Sequence, residues 1–214
     1  MNIDTNLELT RFNMVEQQIR PWDVLDLSIL ALLYKLRRED FVPLAYRSLA
    51  FVDMEIPLSH GQVMLAPKME ARILQELQIK KTEKVLEVGS GSGYQTALLA
   101  EKGAHVYSVE IVPELKAMAE KNLLVFNISN ITMELGDAAQ GWPKHGPYDV
   151  IVLTGSTPVL PEAFQKNLNP GGRMFVIVGE EPVMEAPDVY RSTTLFETCV
   201  SSLINAQQPG RFTF

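Results

Sequence analysis

From residue 84 onward the apolar positions fall into short solid blocks separated by amphipathic stretches. "KVLEV" (84–88), "HVYSVE" (105–110), "ITMEL" (131–135), "YDVIVLT" (148–154) and "RMFVIVG" (173–179) are rich in Val, Ile, Leu and Phe. Runs with so little alternation predict strands buried on both faces. Between them, "GYQTALLAEK", "PELKAMAEKNLLVF" and "PEAFQKNL" space their apolar residues for helices, the second opened by Pro113. The last strand follows the turn "NPGG". Strands alternating with helices predict a doubly wound, mostly parallel α/β sheet covered on both sides. After Gly179 the helical pattern stops, and "VYRSTTLFETCVSSLI" reads as strands that close the sheet antiparallel.

The first eighty residues follow a different rule. Helical spacing is visible at 8–20 and at 26–37, with "PWD" breaking the two and Asp26 placed to cap the second. The stretch from Glu39 to Pro67 is irregular, with prolines at 43, 57 and 67. Pro67 suits the first turn of a further helix, whose buried stripe would be Met69, Ile73, Leu74 and Leu77. The expected organisation is a helical, loop-rich cap at 1–79 followed by one α/β domain at 80–214.

Charge narrows the function. The 214 residues carry a formal charge of −7, against the clustered cations that nucleic-acid phosphates require. The densest basic cluster is Lys35, Arg37 and Arg38, followed at once by Glu39 and Asp40, which reads as a solvated helix end. Cys199, the single cysteine, excludes an internal disulfide and lies in an apolar strand-like stretch, where a buried thiol is expected. His60, His105 and His145 have no metal-ligand spacing, so no metal is expected. The N-terminus has no secretory pattern and no apolar run approaches membrane length; the expectation is a cytoplasmic protein that does not bind membranes.

The chemistry centres on "VLEVGSGSGYQ" (85–95). A dinucleotide fingerprint needs Gly-x-Gly-x-x-Gly, but the sixth position is Tyr94 counted from Gly89 and Thr96 counted from Gly91. A P-loop is excluded because no Gly-Lys-Ser/Thr follows. The spacing that does fit is acidic-x-Gly-x-Gly-x-Gly, Glu87 to Gly93, the first motif of S-adenosylmethionine (SAM) methyltransferases. Two further features agree. Glu110 ends the next strand, at the edge where doubly wound sheets bind ligands, and a carboxylate there can accept from a ribose diol. Gly136 and Asp137 end the third strand, where an adenine amino group needs an acceptor. The expected cofactor contacts are therefore Glu87, Gly89, Gly91, Gly93, Glu110, Gly136 and Asp137, with their neighbours Ser90, Tyr94, Ile111 and Ala138.

With these motifs in place the chain resembles the protein-L-isoaspartate (D-aspartate) O-methyltransferase family along nearly its whole length. "MVEQQIR", "REDFVPLAYRSLAF", "IPLSHGQVMLAPKMEA", "VLEVGSGSGYQTALLA", "GDAAQGWP", "PYDVIVLTGSTPVLP" and "LNPGGRMFVIVG" are similar to the family's blocks, in order. The resemblance implies a Rossmann-like fold, SAM as methyl donor with S-adenosyl-L-homocysteine as product, and isoaspartyl residues of damaged proteins or peptides as acceptors. It also implies that "SHGQVMLAP" passes over the sulfonium, which makes His60 and Gln62 candidate contacts. The chain departs from the family there: Val63 stands for the usual Thr and Leu65 for the usual Ser. The loop Thr154-Gly155-Ser156-Thr157-Pro158 offers hydroxyls on another wall. Ser59, Ser156 and Thr157 are expected to shape loops, and Trp142 to anchor its own. Two alternatives follow from Val63 and Leu65: a methyltransferase with a small-molecule acceptor, or a non-catalytic SAM-binding module.

Overall fold

The computed structural model describes residues 3–180, 183–187 and 194–209. Helix α1 (Ile3–Met14) runs through one wide turn at Val15–Ile19 into a tight turn at Arg20–Trp22, and Asp23 ends it in the left-handed region. Helix α2 (Leu27–Lys35) begins at Asp26, whose carboxylate accepts from the amides of Ser28 and Ile29. Two short strands, β1 (Ile56–Pro57) and β2 (Val63–Met64), pair antiparallel as a small hairpin. Helix α3 (Pro67–Leu77) starts at its proline and buries Met69, Ile73, Leu74 and Leu77.

The sheet comes next. Strands β3 (Lys84–Val88), β4 (His105–Glu110), β5 (Ile131–Leu135), β6 (Tyr148–Thr157) and β7 (Leu168–Glu180) are parallel, joined by helices α4 (Tyr94–Lys102), α5 (Pro113–Val125) and α6 (Glu162–Lys166). Strands β8 (Val183–Pro187) and β9 (Thr194–Thr198) add antiparallel at one edge, giving the order β5-β4-β3-β6-β7-β8-β9. The expected turn "NPGG" is an irregularity inside β7, where pairing skips from Tyr148–Leu168 to Val150–Arg173. Residues 189–193 of the expected closing strand lie outside the described residues.

The solid apolar runs follow from burial on both faces. Val85, Val150, Val152, Phe175 and Ile177 join one core cluster. Their strand neighbours Leu86, Ile151, Leu153, Met174 and Val176 join a second on the other side. Alternate residues thus face alternate layers, and each layer is dry. The first cluster also takes in Met14, Ile19, Leu33, Phe41 and Ile73, so residues before 80 share a core with the sheet. Trp22 and Phe196 of β9 tie the two ends of the chain with ring centroids 4.9 Å apart.

Two expectations are corrected. Arg38 is no solvated helix end: it is buried, paired with Glu70, and donates to the carbonyls of Ala50 (2.9 Å) and Leu65 (2.7 Å). Glu39 is buried as well, paired with Arg11, while Lys35 and Arg37 keep to the surface with Glu101 and Asp40. Cys199 lies past the end of β9 and is exposed; the inward positions of the stretch are Leu195 and Phe196, packed against the core, and the buried Val200.

Candidate active site

The strand order reverses between β3 and β6, which leaves a crevice at the carboxyl ends of the strands. The glycine turn after β3 fills its floor. Gly89 has φ +92, and a Cβ there would lie 2.5 Å from Thr154 Oγ1. That hydroxyl is in turn committed, lying 2.9 Å from the carbonyl oxygen of Val88 and 2.8 Å from that of Gly89. Gly93 has φ +85, and a Cβ there would stand 3.1 Å from Ala119 of α5, too close for the start of α4 to keep its place. Glycine is needed at both places for conformation and for close approach.

Glu110 organises this turn. One carboxylate oxygen accepts from the Gly91 amide (3.0 Å) and the Ser90 hydroxyl (3.2 Å), and the other from the Val112 amide (3.0 Å). The turn after β3 is thereby latched to the end of β4. Ile111, Gly136, Asp137 and Ala138 continue the same wall, and Asp137 accepts from the Ala139 amide and the Asn205 side chain. Gln62, Val63, Met64 and Leu65 of the β1–β2 hairpin form a second wall. The cleft measures about 850 Å³ including its solvent-open mouth. His60 stands outside it on the lid, exposed, its Nε2 3.3 Å from Glu114 at the start of α5.

Three of the expected contacts turn away from the cleft. Gly93 packs behind it, as described. Tyr94 is buried under the cap, donating to the Leu36 carbonyl and lying beside the Phe41 ring. Glu87 points into the layer between β3, β4 and α4, where one oxygen accepts from Thr96 and Ser108, each at 2.5 Å. Its other oxygen is buried without a partner among the described residues. Burial pushes the Glu87 carboxyl up to about 7, with the two hydroxyls opposing. A carboxyl that holds its proton more tightly folded than unfolded stabilises the fold fully below the unfolded value. That contribution is lost as the pH rises through about 7. Between about pH 5 and about pH 8, urea unfolding is therefore expected to show wild type losing about 2.5 kcal/mol more stability than Glu87→Gln. Equal pH dependence of the two proteins would mean that Glu87 is ionised in the fold.

Other lining residues were not among the contacts expected from the chain. Gln95 borders the cleft with both amide atoms buried and without a partner among the described residues. Glu70 reaches the cleft from α3, and Ser201 to Ile204 from the far end of the sequence. Gln95 follows the glycine motif directly, so its place in the motif could have marked it. Ser156 and Thr157 are buried, their hydroxyls bonded to the carbonyls of Val200 and Val159. Trp142 donates to Glu134 and lies over Gly136, outside the cleft, as a loop anchor. Among the described residues no group of acidic, His or Cys side chains could hold a metal ion, and no helix is long and apolar enough to cross a membrane.

Residues 11–195 match the sequence profile of the family described as Protein-L-isoaspartate(D-aspartate) O-methyltransferase (PCMT). A relative from Gloeobacter violaceus, named protein-L-isoaspartate O-methyltransferase, is 42% identical over 78% of this chain and 82% of its own length. The chain belongs to the protein-L-isoaspartate O-methyltransferase family. Another relative of that name, from Methanoculleus marisnigri, is 40% identical over 79% of this chain and 77% of its own.

Solved structures of the family share the fold. A PCMT from Plasmodium falciparum, in complex with S-adenosyl-L-homocysteine, is similar with a TM-score of 0.78 over 90% of this chain and 97% of that one, at 21% identity. A second protein-L-isoaspartate O-methyltransferase gives 0.74 over 91% of this chain and 66% of that longer one. In this chain the β1–β2 hairpin lines the cleft with Val63, Met64 and Leu65, and the Leu65 carbonyl accepts from the buried Arg38.

Proposed function

We propose that this chain is a SAM-dependent carboxyl methyltransferase that acts on isoaspartyl residues of proteins and peptides. The observation that carries the reading is the latch of Glu110 on the Gly91 turn, set at the switch point beneath the β1–β2 lid. The cleft fits the cofactor. Gly89, Ser90 and Gly91 present backbone with no side chain in the way. Glu110 keeps acceptor capacity for a ribose diol, since a carboxylate offers about four lone-pair positions and three are used. Ile111, Gly136, Asp137 and Ala138 give an apolar shelf with an acidic end for adenine. The unpartnered amide of Gln95 offers a donor and an acceptor to a charged amino-acid end. Gly93, Tyr94 and Glu87 serve from behind, by shaping the turn.

SAM, when bound, supplies an electrophilic methyl group on its sulfonium. The protein's part is positioning. A carboxylate acceptor, with an ordinary value of about 3.9, is already ionised at neutral pH and needs no general base. In-line approach then depends on how the lid and the cleft walls hold the acceptor. Gln62 lines the wall nearest the lid turn, and His60 helps to hold that turn against α5.

A second reading, a small apolar acceptor, rests on Val63 and Leu65, which place hydrocarbon where a charged acceptor loses solvation without return. Labelled SAM separates the two. An isoaspartyl peptide is expected to take up methyl label while the same peptide with normal aspartate does not. Bound S-adenosyl-L-homocysteine with no label on the isoaspartyl peptide would defeat the isoaspartyl reading and leave the small-molecule one standing.

A further inference from the structure

Resting on the isoaspartyl reading, we infer that Ser201 holds the acceptor carboxylate, supplying a hydroxyl where Val63 and Leu65 have none, with Ser202 beside it fixing the segment. The argument runs by elimination and then by geometry. A carboxylate brought into a partly dry cleft needs donors in place of water. The lid stretch offers none from its side chains at 63, 64 and 65. The other hydroxyls in the region are already occupied: Thr154 lies in hydrogen-bond range of the carbonyls of Val88 and Gly89, Ser156 on that of Val200, Thr157 on that of Val159, and Ser90 on Glu110. Ser92 sits within the glycine turn, in the part of the cleft assigned above to the cofactor. Ser201 and Ser202 line the same cleft and are exposed to it.

The segment that carries them is built to stay in place. The Ser156 amide donates to the Ser201 carbonyl (3.0 Å), and the Leu203 amide donates to the Ser156 carbonyl (2.9 Å). With the Ser156 hydroxyl donating to Val200, the Ser202 hydroxyl donates to Ser156 (3.2 Å) and so secures the segment. Gly155 makes this docking possible: a Cβ there would stand 3.0 Å from Leu203 and 3.1 Å from the Ser201 carbonyl. The Ser201 hydroxyl is therefore held against the end of β6 at low entropic cost, which is what positioning of an acceptor demands. Acceptor recognition has moved from the lid to the C-terminal segment.

The test is steady-state methylation of an isoaspartyl peptide by wild type, by Ser201→Ala and Ser202→Ala singly, and by the double variant. Each protein is also titrated with S-adenosyl-L-homocysteine and melted. The double variant is expected to lose roughly ten- to a hundredfold in kcat/KM for the peptide, the worth of one hydrogen bond to a charged group, with melting and S-adenosyl-L-homocysteine affinity unchanged. Adding Val63→Thr and Leu65→Ser to the double variant is expected to restore much of the loss, because hydroxyls return on the lid. Unchanged kcat/KM in a folded, cofactor-binding double variant overturns the inference while leaving the isoaspartyl reading intact. If the double variant melts early, the single Ser201→Ala decides, since its hydroxyl makes no contact with Ser156. A wild type that binds S-adenosyl-L-homocysteine but never labels the peptide overturns both.

Discussion

Arg38→Ala is expected to lower stability by about 3–5 kcal/mol, the usual cost of stranding one member of a buried ion pair. The guanidinium joins three separate parts of the chain. It pairs with Glu70 of α3, donates to the Ala50 carbonyl, and donates to the Leu65 carbonyl just after β2 on the wall of the cleft. Both side chains of the pair are almost fully buried. Burial raises the Glu70 carboxyl above its ordinary value, and Arg38 is the main group pulling it back down and holding it charged. With Arg38 gone, Glu70 must either remain charged in a dry site or take up a proton, and two carbonyls lose their donor. For a chain of this length the loss corresponds to a fall of roughly 10 °C or more in melting temperature. Replacing both members with apolar residues, Arg38→Met with Glu70→Leu, is expected to recover a large part of the loss, since the desolvation penalty disappears with the charges. Calorimetry on the three proteins checks this. A single Arg38→Ala variant as stable as wild type would show that the pair is not buried in solution.

Glu110→Ala is expected to weaken S-adenosyl-L-homocysteine binding by at least tenfold, and towards a hundredfold. Two losses combine. The proposed ribose bonds go, each worth about 1.5–3 kcal/mol at a charged acceptor but less than additive because they share one carboxylate. The latch on Gly91, Ser90 and Val112 also goes, so the glycine turn must be ordered when the cofactor binds rather than beforehand. Glu110→Gln keeps an acceptor oxygen but turns a donor towards backbone amides, so it is expected to fall between wild type and Ala. Isothermal titration, with circular dichroism to confirm the fold, measures the effect. Wild-type affinity in Glu110→Ala would move the ribose contact to another residue.

Much of the fold was legible in the chain because its causes are local. A strand buried on both faces is apolar on both, with few polar positions such as Glu87 and Ser108, so β3, β4, β6 and β7 announce themselves without their neighbours. Asp26 and Pro67 mark helix starts for reasons confined to one turn of backbone. The glycines at 89, 91 and 93 and the acid at 110 lie within one βαβ unit, whose geometry brings strand ends together at the same edge. The floor of the cleft followed from that.

The walls did not follow, since they depend on which surfaces come to lie against each other. Arg38 sits in a run of charges that reads as solvent-facing, yet Glu70, 32 residues later, turns it into the interior. Glu87 occupies the acidic position of the glycine motif, but Thr96 and Ser108 draw it behind the sheet. Cys199 lies in an apolar stretch and is exposed, while Ser201 and Ser202, unremarkable as residues, reach the cleft because Gly155 leaves room for their backbone. Local periodicity is set by backbone geometry and a single dry interface, so the chain alone determined the parallel strands, the helix starts at Asp26 and Pro67, and the glycine turn. Which side of a side chain meets water, and which distant loop borders the cleft, depends on contacts between segments far apart in the chain, and only the folded packing decided them.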